Sequence, residues 1–450
     1  MTSTQEAVVP RHTPVRDSDA AVRTDGGAAV RRLADWDAGR LDTLAAEFDS
    51  PCYVLDPARV RENCRRMQAA FPDAHCQYAA KANTARTVLQ TVHDEGFAVE
   101  CASAGEVLRA LAAGVPGADV TYTAVNPSAV DLDAVVEAWH ENPGLTITAG
   151  AADTVDRLRE RGYDGRLCIR VNPGVGAGHH EKVVTGGHPK FGVPYGEAAR
   201  LAVDAADDFD LVGIHAHAGS GISGDDLEDH RELVARMGAL ARDVSDRGID
   251  LEYVDVGGGF GVPYHEDEPP LDLDSVADAT REALGEVDAR LAIEPGRYLV
   301  ADAGVLLTRV NTVKETAAGV VAGVDAGMTT LLRPAMYDAY HAVRNLDAES
   351  EGAASASGDG RETVGVTVAG PVCETADLLW ENRPLPRPER GDLLVVGNAG
   401  AYGYEMSSTY NSRPRPPEVT LEGEVLRRRE TLAEVSGLEL SGEERTEVDR

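Results

Sequence analysis

Between residues 75 and 297, short apolar runs alternate with longer amphipathic ones. The runs HCQYAAK, FAVECAS, VTYTAVN, LTITAG, RLCIRVN, LVGIHAHAG, LEYVDVGGG and LAIEPGR have the length of strands. Between most of them lie segments with apolar residues three and four apart, such as TARTVLQTVHDEG, AGEVLRALAAG and HRELVARMGALARDVSDRG. The last reads as a long amphipathic helix stopped by Gly248. Eight strands alternating with helices in units of even size predict an eight-stranded, TIM-like α/β barrel rather than an open doubly wound sheet. Polar and charged residues gather at the C-terminal ends of the runs: Lys81, Glu100, Asn172, His217, the glycines after Asp255, and Glu294. In a barrel those ends share one face, and that face carries the active site.

Beyond Arg297 the texture changes. VLLTRVNTVKET, VTVAGPVCETADLL, DLLVVGNAGAYGY and PPEVTLEGEVLRRRE read as strands joined by turns, and AASASGDGRE as an exposed loop. Upstream, RLDTLAAEFDS has helical spacing and PCYVLD reads as a strand. The expected organisation is a loosely ordered polar segment over 1–30, a barrel over 50–299, a mostly β second domain built from 30–49 and 300–430, and an acidic tail over 431–450.

Charge alters the picture of the surface, not of the fold. The 76 acidic residues outnumber the 43 basic ones, for a formal charge of −33. An acidic skin of that size argues against nucleic acid or an anionic membrane as partner. Self-repulsion at low salt, arginine in place of lysine and many small residues suggest a salt-rich cytosol; an ordinary acidic soluble protein is the plainer alternative. The six cysteines (Cys52, Cys64, Cys76, Cys101, Cys168 and Cys373) form no CxxC pair, which fits a reducing compartment. No signal peptide is apparent and no continuous apolar stretch approaches membrane-spanning length, so a cytoplasmic protein is expected.

Only four lysines occur in the chain: Lys81, Lys182, Lys190 and Lys314. A lysine in a salt bridge could usually be arginine, whereas one that must deprotonate or form an imine could not. VDVGGGFG sets three glycines beyond the seventh run, as a phosphate cup or as a tight structural turn. In HAHAGS, His215 and His217 share a strand face; a metal pair, a polar core and a cofactor contact are all open. The run GHHEKVVTGGH is also rich in histidine but reads as a hydrogen-bonded loop, and no metal is expected. EPGR ends the last run with Glu294, either a salt-bridged rim residue or a carboxylate facing a protonated ring nitrogen. A reactive lysine, a phosphate cup, an aromatic platform and a carboxylate for a pyridinium are together what pyridoxal phosphate requires.

The ordered series YAAKAN, HAHAGSGI, VDVGGGFG, EPGRYLV, RPAMYDAYH, GPVCETADLL and GAYGYEMSSTYNSRPRP resembles the diaminopimelate decarboxylase family over roughly residues 50–420. That family lies within the barrel-fold pyridoxal-phosphate decarboxylases, which also contain ornithine and arginine decarboxylases. The resemblance implies a fold type III enzyme, a barrel plus a β domain. It assigns Lys81 to the cofactor aldehyde, His217 to stacking on the ring, Glu294 to the ring nitrogen and Glu100 to the acidic position beside it. Ser220, Gly258, Gly259 and Gly296 would line the phosphate, with the Tyr402 hydroxyl closing over it. Arg297, Arg333 and Tyr337 would hold substrate carboxylate. The site would form between two subunits of a homodimer, the partner lending Cys373 to return a proton to carbon and Glu374 to read the distal amino acid group. The implied reaction is decarboxylation of meso-2,6-diaminopimelate to L-lysine. Ornithine or arginine decarboxylation and a non-enzymatic pyridoxal-phosphate-binding protein are the alternatives. An alanine racemase is disfavoured, because that family sets an arginine where EPGR has Glu294. Ala80, often valine, and Asn398, often aspartate, depart from the common motifs.

Overall fold

The structure, a computed structural model, describes residues 29–175, 188–217, 219, 222, 227–317, 319–354 and 360–439. The polar segment 1–28, most of the GHHEKVVTGGH run, Ser220, the tip of the AASASGDGRE loop and the end of the acidic tail lie outside the described residues.

After the helix Ala38–Phe48, strand β1 (Cys52–Leu55) is buried along its whole length. It does not open the barrel, as the boundary at residue 50 anticipated. It pairs antiparallel with a strand at 304–307 and parallel with one at 418–420, inside the second sheet. A four-residue run that is apolar on both faces suits any interior strand, and which sheet receives it depends on distant partners that periodicity does not encode. The barrel begins instead with the helix Pro57–Ala70, started by proline at its first position and by Asp56, whose carboxylate accepts from the N–H groups of Ala58 and Arg59.

Eight parallel strands follow: β2 (His75–Ala79), β3 (Ala98–Cys101), β4 (Val120–Tyr122), β5 (Thr146–Ala149) and β6 (Arg166–Asn172), then, past the two-residue β7 (Val193–Pro194), β8 (Asp210–His215), β9 (Tyr253–Asp255) and β10 (Arg290–Ile293). Their order is β5-β4-β3-β2-β10-β9-β8-β6, and pairing of β5 with β6 closes the barrel. These are the eight runs expected from the sequence. β7 adds only to the outside of β6. The long helix Glu228–Asp246 ends as expected, with Gly248 at φ 87°, where a side chain would be strained.

The second sheet contains β11 (Gly304–Thr316), β12 (Gly319–Val324), β13 (Val343–Asn345), β14 (Thr363–Ala369), β15 (Leu378–Pro386), β16 (Leu393–Val396), β17 (Glu418–Thr420) and β18 (Val425–Arg427). β1 sits centrally, between β11 and β17. Two buried polar clusters join this sheet to the barrel. Arg59 pairs with Asp302 at 2.7 Å, and Asn63 donates to the same carboxylate. Arg427 pairs with Glu418 at 2.8 Å and Glu405 at 2.7 Å, while Asn83 donates to Glu418 and Thr84 to Glu405. The second cluster anchors the chain two and three residues beyond Lys81, so the β domain positions the active-site face. Among the described residues no helix is long and apolar enough to cross a membrane.

Candidate active site

The strand ends converge as the barrel requires. β2 runs into a single 3-10 turn, Ala80–Ala82, which lifts Lys81 off the sheet. The register of β2 and β3 sets Ala79 opposite Glu100, and the Lys81 ammonium lies 3.3 Å from the Glu100 carboxylate. Glu100 is buried, whereas the Lys81 side chain keeps 41 % exposure because it faces a small cavity. Burial raises the Glu100 carboxyl to about 7 even against the pull of Lys81.

The segment after β9 explains its glycines. Gly257 has φ 74°, and a Cβ on Gly258 would stand 2.2 Å from the Glu294 carbonyl oxygen, so only glycine lets the two strand ends touch. The Gly258 N–H donates to His217 Nδ1 at 3.1 Å. Gly258, expected to line the phosphate, lines the cavity, but its N–H is spent on orienting the imidazole. Burial, reinforced by Lys81, lowers the His217 pKa to about 3, so the ring is neutral. Gly259 and Gly296 line the same cavity, and Tyr402 enters it from the β domain, its N–H bonded to the Ala82 carbonyl.

Glu294 follows β10 and is buried. Burial alone would raise its pKa, but the His215 imidazole, with its Nε2 at 3.3 Å, and the Lys81 ammonium outweigh it and keep the carboxylate ionised. The two histidines of HAHAGS thus part company, His215 serving Glu294 and His217 facing the cavity. His215, Asp255 and Glu294 bring ligand atoms within 4.8 Å of one another. Asp255 uses both oxygens, however, accepting from the Gly257 N–H and the Gln77 amide at 2.7 Å each. Gln77 in turn accepts from Thr121. This is a hydrogen-bonded floor beneath Glu294, and no metal need be invoked to account for it.

A larger cavity of about 530 Å³ shares Gly259 and Arg297 with the small one. Arg333 and Tyr337 line it too. Sequence reasoning missed Tyr264, whose hydroxyl accepts from Arg297 at 2.7 Å and whose ring lies 4.8 Å from the Arg333 guanidinium. Burial would raise its phenol, but the two guanidiniums bring it below the ordinary tyrosine value. Neither arginine pairs with a carboxylate among the described residues; the groups that act on them are Tyr264, Tyr402 and each other, with Tyr337 beside Arg297 and His341 beside Arg333. Asn398 donates to the Pro263 carbonyl at 2.9 Å and so fixes the segment bearing Tyr264; an aspartate carboxylate could not donate this bond.

Cys373 and Glu374 line neither cavity of their own chain. Both are exposed, with the Cys373 thiol 3.4 Å from Asn411 Oδ1 and Glu374 accepting from the Tyr410 hydroxyl.

An amine facing a cavity, a neutral imidazole fixed by a glycine turn, an ionised carboxylate at the cavity floor and glycines at its wall suit pyridoxal phosphate, and at the mouth of an eight-stranded barrel they define a pyridoxal-phosphate enzyme. Residues 57–301 match the family described as the pyridoxal-binding domain of pyridoxal-dependent decarboxylases, and the chain belongs to that family. It is 42 % identical over 416 residues to the diaminopimelate decarboxylase of Methanothermobacter thermautotrophicus, covering 87 % of this chain and 92 % of that one. It is 37 % identical over 428 residues to the Escherichia coli K12 diaminopimelate decarboxylase, covering 90 % and 97 %. The crystal structure of Helicobacter pylori diaminopimelate decarboxylase complexed with L-lysine aligns with a TM-score of 0.80 at 31 % identity, over 88 % of this chain and 98 % of that one.

Proposed function

We propose that this decarboxylase converts meso-2,6-diaminopimelate into L-lysine and carbon dioxide. The observation that carries the reading is the pair of arginines, half-buried Arg297 and buried Arg333, in the wall of a cavity that adjoins the one holding Lys81, with no carboxylate paired to either among the described residues. One buried and one half-buried cation left in that state call for an anionic ligand. A substrate with a second carboxylate meets the need; ornithine and arginine, with a cationic distal end, do not.

Pyridoxal phosphate supplies an aldehyde for the substrate amine and a ring that takes up the electron pair left when carbon dioxide departs. Lys81 holds the cofactor and later frees the product. Glu294, kept ionised, holds a proton on the ring nitrogen, and His215 with the Asp255–Gln77 floor keeps that carboxylate in place. His217, fixed by the Gly258 N–H, would pack against the cofactor. Gly259, Gly296, Ser220 and the Tyr402 hydroxyl receive the phosphate, and Glu100 flanks the ring. Arg297, Arg333 and Tyr337 hold the substrate carboxylate.

The exposed Cys373 and Glu374 fit a shared site in a homodimer: each chain lends them to its partner, Cys373 to return a proton to carbon and Glu374 to read the distal amine. Six free cysteines suit a reducing, cytoplasmic setting. The test is a product assay with meso-diaminopimelate, L-ornithine and L-arginine offered separately. Lysine from the first and no diamine or agmatine from the others is expected; turnover of ornithine or arginine with none of diaminopimelate would reverse the assignment.

A further inference from the structure

The arginines inside this chain differ in how their charge is met. The buried Arg59 and the half-buried Arg427 join the barrel to the β domain, and each is neutralised by two carboxylates, Asp302 and Glu62 for the first, Glu418 and Glu405 for the second. The buried Arg170 lies in the field of Glu294, Glu100 and Asp255. Arg333 is as deeply placed as Arg59, at 3 % exposure, yet its polar partners are the Tyr264 phenol and His341, with Nη1 2.9 Å from His341 Nε2. The other ring nitrogen, His341 Nδ1, lies 2.8 Å from the Gly397 carbonyl oxygen. A carbonyl only accepts, so Nδ1 carries the hydrogen; the guanidinium only donates, so Nε2 presents its lone pair. Both neighbours therefore demand one neutral tautomer. The ring has no freedom to choose another, being 1 % exposed and packed edge-on against Tyr264 at 5.3 Å. Burial and the adjacent Arg333 cation hold its pKa near 3, in keeping with a ring that stays neutral.

A carboxylate in this place would grip Arg333 equally well but would cancel its charge. We propose that His341 is a positioning residue for substrate selectivity: a neutral acceptor that aims the Arg333 guanidinium into the cavity and leaves its charge to be met by the second carboxylate of the substrate. The inference rests on the reading of Arg333 as the holder of that carboxylate.

The experiment compares two ligands of the holoenzyme that differ in that carboxylate alone: L-lysine and pentane-1,5-diamine. Their inhibition constants are measured for the wild type and for Arg333→Ala, His341→Gln, His341→Leu and His341→Glu, with the bound-cofactor absorbance recorded for each. His341→Gln keeps a neutral acceptor and should retain the preference for lysine within about threefold. His341→Leu and His341→Glu should each reduce that preference by about tenfold or more, the scale of one hydrogen bond to a charged group, without weakening the diamine or the cofactor spectrum. If His341→Glu fails to hold cofactor, the contrast between the leucine and glutamine variants decides alone. Retained preference in His341→Leu, while Arg333→Ala loses it, overturns the role of His341 and leaves that of Arg333 standing. Retained preference in Arg333→Ala overturns the reading of Arg333 itself.

Discussion

Replacing Arg333 by alanine removes a guanidinium that is 3 % exposed and has no carboxylate partner among the described residues. In the free enzyme little should be lost. Burial, and the Arg297 cation nearby, already disfavour the Arg333 charge, so the variant is expected to fold and melt much like the wild type. The loss falls on the substrate. Truncating one partner of a buried charge-assisted pair costs about 2–5 kcal/mol, because the other charge is left unpaired. At about 1.4 kcal/mol per tenfold, kcat/KM for diaminopimelate should fall by roughly 30-fold to several thousand-fold. Arg333→Lys should recover only part of this, since a point charge lacks the planar fork. Steady-state kinetics of lysine release, read beside the absorbance of the bound cofactor, measure both terms. Normal turnover in Arg333→Ala, or loss of cofactor in place of loss of turnover, would refute the argument.

If Cys373 serves the partner's site, mixing inactive Lys81→Ala protein with inactive Cys373→Ala protein should restore part of the activity, because one hybrid site keeps both residues; no recovery after proven subunit exchange would place Cys373 in its own chain's site. The −33 formal charge predicts that lowering salt from molar to about 0.1 M, where repulsion carries over about 10 Å instead of about 3 Å, loosens the proposed dimer first. Light scattering across a salt series should show falling mass, and constant mass and activity at low salt would rule out the halophilic reading.

The barrel was legible in the sequence because each of its eight strands is an apolar run with its own amphipathic neighbour, and the functional groups sit where those runs end. Lys81, Glu100, His217 and Glu294 were read at those ends, and the structure brings them to one face. What the sequence hid depends on tertiary neighbours. The sheet that receives Cys52–Leu55 is decided by partners at 304–307 and 418–420. The direction of the Gly258 N–H is decided by a histidine 41 residues away. Tyr264 meets Arg297 across 33 residues, and nothing in VPYH signals a phenol between two guanidiniums. Asn398 stood out only as a departure from the common motif, and its amide reaches back 135 residues to Pro263. His341 lay inside a quoted motif, yet its worth comes from the Gly397 carbonyl that fixes its tautomer.

The central claim is that the cavity around Lys81 seats the cofactor. Reducing the holoenzyme with borohydride, digesting it and mapping the pyridoxyl group by mass spectrometry tests this directly. With only four lysines in the chain, the outcome is unambiguous. The account predicts the label on the peptide containing Lys81; a label on Lys182, Lys190 or Lys314 would contradict it.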